Sequence, residues 1–497
     1  MTFTPHRRPR AWKLYATAVL LTAAAGLVVD SSGVASVRHR ALAQAGQRAW
    51  TAPVRIPTKG DVLGLQLAEN TRGDTLIVWA DRRGCLASSA SATGHFGTAQ
   101  TLSRGSGCRS IKASADPQGD AVIIGGTTQT VIGGSPLAIW VGGRLQRIQH
   151  PLPAVDAAVA PDGSVLILYP EDSGPNALQG PRLMVQRREA NGTWDPPAVA
   201  MTLPLHWSLD ESHISMDRDG NTEITWSQEL NRASLYAVDS APRARSLPNA
   251  NLALRPQPPQ LWARSMTGTG TLGPPVRITP AGTTIDYFSP DYNATFHLYA
   301  VAGSPSGRTT LVWTRQVAKK TDQVEGRVIQ PNGSLQPVQV LSPTMPRRQT
   351  GSLSLVGLAN GTAIAGWEQY SSLVEFHMRE ISPGGLGPAR TAVSYGSIPE
   401  SRGVEQAGQL VASGNRALVL WSESLCTSTP SSHVWSRLIS AAGVPGTTQL
   451  ILDNSQPPRI SCPLLTASAA SSSGNAAAAI HSESSGGPYY LTTRRVP

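Results

Sequence analysis

Gly307-RTTLV-Trp313 is a turn glycine, five residues that sit well in extended backbone, and a tryptophan that closes the run. The same phrase recurs as Gly73-DTLIV-Trp79, Gly119-DAVII-Gly125, Gly163-SVLIL-Tyr169 and Gly220-NTEIT-Trp226. It returns as Gly361-TAIAG-Trp367, Gly414-NRALVL-Trp421 (one residue longer) and Gly474-NAAAA-Ile480. The glycines are 44 to 87 residues apart, a spacing that suits units of four short strands with insertions where the interval is long.

Around each phrase a unit can be read. A small-residue strand A such as Ser352-LSLVGLA-Asn360 precedes it, and the phrase itself is strand B. Strand C often carries arginine, as in Val324-EGR-Val328 and Leu183-MVQR-Arg188. Strand D follows a Gly/Pro turn, as in Pro275-VRI-Thr279 and Pro337-VQVL-Ser342. This predicts an all-β fold, a seven- or eight-bladed β-propeller of four-stranded antiparallel blades. The last unit stops after its third strand, Tyr489-YLTTRR-Val496, while Trp50-TAPVRI-Pro57 matches a strand D and precedes the first strand A. Pairing the two removes the exposed edges of an open ring. Over residues 48–497 the pattern resembles the propeller repeats of secreted bacterial proteins, including sialidase-like and kelch-like ones. The resemblance is one of architecture, with no family's motif matched, and fold alone does not give function.

Composition agrees. The chain has 497 residues, 40% hydrophobic and only 15% charged, with 47 Gly and 39 Pro, which fits many short strands and tight turns. Residues 1–43 read as a signal peptide: His6-Arg7-Arg8-Pro9-Arg10-Ala11-Trp12-Lys13 is basic, Leu14–Val29 is apolar, and Ala41-Leu42-Ala43 offers a cleavage site. An uncleaved anchor is the alternative, and only then is a membrane partner expected. Residues 44–497 form the single propeller domain, expected to be exported and monomeric. The leader holds six basic side chains and one acidic, so the formal charge falls from +10 to 10 − 5 = +5 for the rest. No Lys/Arg cluster of the kind that neutralises phosphates follows it, so no nucleic-acid partner is expected.

Cys85 and Cys426 both follow a strand-B tryptophan, while Cys108 and Cys462 both precede the next turn glycine. That equivalence predicts disulfides Cys85–Cys108 and Cys426–Cys462, in keeping with an oxidising compartment. No metal or cofactor is expected. Asp217-Arg-Asp219-Gly-Asn221-Thr-Glu223 alternates polar donors as calcium loops do, but reads first as an Asp-Gly hairpin turn. Gly268-Thr-Gly270-Thr-Leu-Gly273 mimics a dinucleotide fingerprint, yet Pro274 and Pro275 follow where a helix would have to start. Trp79, Trp226, Trp313, Trp367 and Trp421 read as packing between blades. His213, His377 and His481 show no ligand spacing.

Charges just past strand B mark the candidate binding face: Asp81, Arg82, Glu171, Asp172, Glu229, Arg315, Glu368 and Glu423. Asp286 and Tyr287, in a long D–A connection, belong to the same face, since B–C and D–A connections emerge together. The expected function is a non-catalytic propeller that binds a protein or a cell-surface glycan there. The alternative is a carbohydrate-active enzyme, a glycoside hydrolase or polysaccharide lyase, using paired carboxylates on that face. No catalytic residue is assigned.

Overall fold

The computed structural model describes residues 50–58, 62–92, 95–104, 110–115, 120–126, 137–141, 144–148, 154–160, 162–171, 180–204, 207–230, 259–285, 299–346, 350–370, 374–394, 408–423, 433–453, 463–471, 473–482 and 489–494. The predicted leader, with Leu14–Val29 and Ala41–Ala43, lies outside them. So do Cys108, Cys426 and Cys462. Cys85 is buried on a strand C and is disulfide-bonded.

Eight antiparallel sheets follow one another along the chain, so the propeller has eight blades. The two units whose phrase lacks an aromatic end, at Gly119 and Gly474, are full blades like the rest. Blade 4 shows the plan. Strand A is Trp207–Met216, strand B Thr222–Leu230, strand C Gln260–Met266 and strand D Val276–Arg277. A to B and C to D are tight turns on one face; B to C and D to A leave from the other. Gly220 takes φ of 77° in its A–B turn, where a side chain would be strained, and the other described glycines that open a phrase also take positive φ. Thr267–Gly273 is the C–D hairpin, with the Gly270 amide donating to Thr267 O at 2.8 Å, so the fingerprint-like glycines serve a turn.

Apolar clusters join neighbouring blades. Leu76, Val78 and Ala87 of blade 1 meet Ile123 and Trp140 of blade 2, and comparable clusters occupy the junctions that follow. The last cluster joins Ala477, Ala479 and Leu491 of blade 8 to Leu65, Leu67 and Trp79 of blade 1. All five phrase-ending tryptophans lie at most 3% exposed within such clusters, as expected of packing side chains.

The fourth strand of blade 8 comes from the N-terminal stretch. Val54–Arg55 pairs antiparallel with Tyr489–Arg494, Val54 opposite Leu491. Ile56 N donates to Tyr489 O and Thr51 N to Thr493 O, both at 2.8 Å, and Ile56 is fully buried.

The strand-C arginines have a structural task. Arg327 donates to Gln336 O of its own C–D turn and to Ile278 O of the preceding blade, both at 2.7 Å. Arg264 and Arg379 repeat the arrangement, and Arg437 reaches Ala392 O of the blade before it. A guanidinium carries enough donors in a fixed fork to serve both carbonyls, which makes it a clamp between blades.

Candidate functional site

The described charges that follow strand B are mostly engaged within their own hairpins. Asp81, 1% exposed, accepts from the Arg83 amide at 2.7 Å and from Arg83 Nε at 3.0 Å. Its carboxylate caps the turn. Arg82 is exposed beside it. Glu171 lies 3.5 Å from Arg182 on the facing strand, and Arg315 lies 2.9 Å from the buried Glu325. Glu229 is half-buried, and Glu423 ends strand B of blade 7. Asp172, Asp286 and Tyr287 lie outside the described residues.

Glu368 is buried as well, 4% exposed. Tyr370 Oη donates to its Oε2 at 2.9 Å. Burial pushes its carboxyl pKa up, while hydrogen bonds from Tyr370 and Ser352 hold it partly down. A carboxyl raised in the fold favours folding while protonated, and that stability drains away as pH rises through its folded pKa. Glu368→Gln is neutral throughout, so its melting temperature relative to the parent is expected to improve between pH 5 and pH 8. A parent that gains on the variant over that range would contradict the assignment.

The arrangement that does gather chemistry lies on the inner strands of blades 3, 4 and 5. Alternation on strand A of blade 4 puts Glu211 and His213 on one face, with Glu211 Oε1 2.7 Å from His213 Nε2. Asp156, first residue of strand A in blade 3, sets Oδ2 3.5 Å from His213 Nδ1 and takes the Ile214 amide at 3.0 Å. Tyr299, first residue of strand A in blade 5, turns its ring edge-on to the imidazole at 5.2 Å and shares a 3.2 Å hydrogen bond with Thr225. The polar ends are nearly enclosed: side-chain exposure is 14% for His213, 13% for Glu211 and 6% for Asp156.

A carboxylate on each side of the imidazole fixes the orientation of the ring. Four residues before Glu211, at the B–C/D–A end of the same strand, the half-buried Trp207 offers part of an indole. One strand thus carries an aromatic surface and a preorganised polar pair. Sequence reading missed this group. The available signal was Glu211-x-His213 on a strand A, where blade 1 has Gly64-x-Gln66 in the same register.

The channel cavity lies at the opposite end. Its volume is about 320 Å³, and Ser215, Met216, Gly303, Gly357, Gly414 and Ala470, near the ends of strands A, line it. No charged residue is among its lining.

No protein-family model matches the chain, and no curated protein matches it. Solved propellers are similar in fold. The BP39L lectin from Burkholderia pseudomallei is 14% identical with a TM-score of 0.44, covering 80% of this chain and 100% of its own. The WD40 domain of SCAP from fission yeast is 12% identical with a TM-score of 0.44, covering 90% and 95%. An ulvan lyase of a polysaccharide lyase family is 10% identical with a TM-score of 0.43, covering 82% and 96%.

Proposed function

We propose that this chain is an exported glycan-binding propeller without catalytic activity, whose ligand sits at the B–C/D–A end of the inner strands of blades 3 to 5. The observation that carries the reading is on strand A of blade 4, where a half-buried indole and a tightly paired Glu211–His213 share one short segment. Sugar rings have apolar faces and hydroxyl edges. An aromatic surface beside a few fixed polar groups suits both. A large protein partner fits less well, because the exposed large hydrophobics among the described residues, such as Leu63, Val199 and Val317, are scattered singly.

Against catalysis stands the use already made of the titratable groups. Glu211 and Asp156 both face His213, and Tyr299 is 1% exposed with its hydroxyl on Thr225. An acid–base pair needs groups that reach the scissile bond. Export rests on the basic and apolar leader, and the pairings Cys85–Cys108 and Cys426–Cys462 belong to the same proposal.

The test is a glycan array probed with the purified chain, followed by incubation of each bound glycan with excess protein. Retention of specific glycans with no new reducing ends or unsaturated products is the expected result. Cleavage would convert the reading to the enzymatic one; no retained glycan would remove it.

A further inference from the structure

The phrase that builds strand B keeps the position three residues before its end apolar or threonine in seven blades: Leu76, Val122, Leu166, Thr310, Ile364, Leu418 and Ala477. Blade 4 has Glu223 there, 7% exposed. A carboxyl at a position the repeat keeps for packing is costly unless it is satisfied. One oxygen is: Ser265 Oγ donates to Glu223 Oε2 at 2.6 Å. The other, Oε1, is buried without a hydrogen-bond partner.

Glu223 lines a pocket of about 70 Å³ between blades 4 and 5, on the A–B/C–D face and away from the proposed glycan site. The remaining lining is rich in oxygen, with Asp217, Asn221, Ser265, Thr309 and Gln330 all contributing. Asp217 is itself 7% exposed. Its Oδ1 takes the amides of Asp219 and Asn221, at 2.9 and 2.8 Å, so the Asp-Gly segment is the hairpin turn that the sequence suggested. Its Oδ2 accepts only Asn221 Nδ2, at 3.0 Å, among the bonds found. That oxygen faces Gly307, where an added Cβ would come within 2.8 Å of it. Glycine at that point keeps the carboxylate oxygen uncovered.

We infer that this pocket is a binding site for a divalent cation of the calcium type, with Glu223 Oε1 and Asp217 Oδ2 as the charged ligands and neighbouring hydroxyl and amide oxygens completing the shell. The donors are all hard oxygens, which calcium accepts in flexible geometry and in numbers from six to eight. The volume admits one ion with little besides, a liquid water alone taking about 30 Å³. Burial, partly offset by Ser265, raises the Glu223 carboxyl to about 7, so that a cation and a proton would compete for it near neutral pH. With only two carboxylates, weak affinity is expected, on the order of 0.1–1 mM, the range of extracellular modules.

Titration calorimetry of the purified, chelator-treated chain with CaCl2 at pH 7.5 tests this. One site in that range is expected, weakened at least tenfold by Glu223→Gln, whose shape leaves the fold intact. Should that variant fail to fold, Asp217→Asn carries the test, because its amide oxygen still accepts the turn amides while the charge is lost. Absence of calcium-dependent heat at 5 mM, or a folded variant that binds as the parent does, would overturn the inference.

Discussion

Removing residues 50–57 is expected to cost about 5 kcal/mol of stability and to lower the melting temperature by about 5–10 °C. The deletion takes away the outer strand of blade 8, the buried Ile56 and the Trp50 hydrogen bond to Ser436 of blade 7. It also leaves Tyr489–Arg494 as a bare edge, a template for pairing between molecules, so aggregation on heating is expected as well. The effect is large because these few residues hold the first and last blades together as well as covering an edge. Thermal unfolding of the deleted chain beside the parent is sufficient. Equal melting temperatures would mean that the N-terminal strand is not part of the closure.

The second large effect concerns binding. His213→Ala is expected to weaken the proposed glycan affinity about 30- to 100-fold, since it removes the hydrogen-bond partner of Glu211 and leaves the nearly enclosed Glu211 and Asp156 carboxylates without the ring between them. Trp207→Ala is expected to weaken it about tenfold while leaving the inner strand in place. Glu171→Gln and Arg315→Gln, on the same face but paired within their own hairpins, are expected to change affinity less than twofold. Calorimetric titration of a glycan found on the array reads all four. Larger losses at Glu171 or Arg315 than at His213 would move the site outward to the hairpin tips.

The architecture was legible because two periodicities coincide. Strand alternation gives each blade its buried face, and a glycine that must take positive φ marks each A–B turn, as at Gly73, Gly163, Gly220 and Gly307. The closing strand was legible for the same reason, an incomplete unit at one end and a matching strand D at the other. Blade number needed the structure, since Gly119-DAVII-Gly125 and Gly474-NAAAA-Ile480 lack the aromatic end that identifies the rest.

The site was harder. Asp156, His213 and Tyr299 come from three blades and are brought together only by the packing of neighbouring inner strands. A lone histidine on one strand carries no sign of that meeting. Charges after strand B carry a second meaning in the repeat: a carboxylate at the end of a strand can cap the turn that follows, as Asp81 does, so that its place also reflects turn geometry. Glu223 was within reach of the sequence, by lining up the eight phrases and asking which one puts a charge where the others put an apolar group.

Crystals of the chain soaked with a glycan retained on the array test the central claim most directly. Sugar density is expected against the Trp207 indole, with a hydroxyl within hydrogen-bond distance of Glu211 or His213. Density confined to the Glu171–Arg182 or Arg315–Glu325 hairpins, or to the channel cavity at the A–B/C–D end, would contradict it.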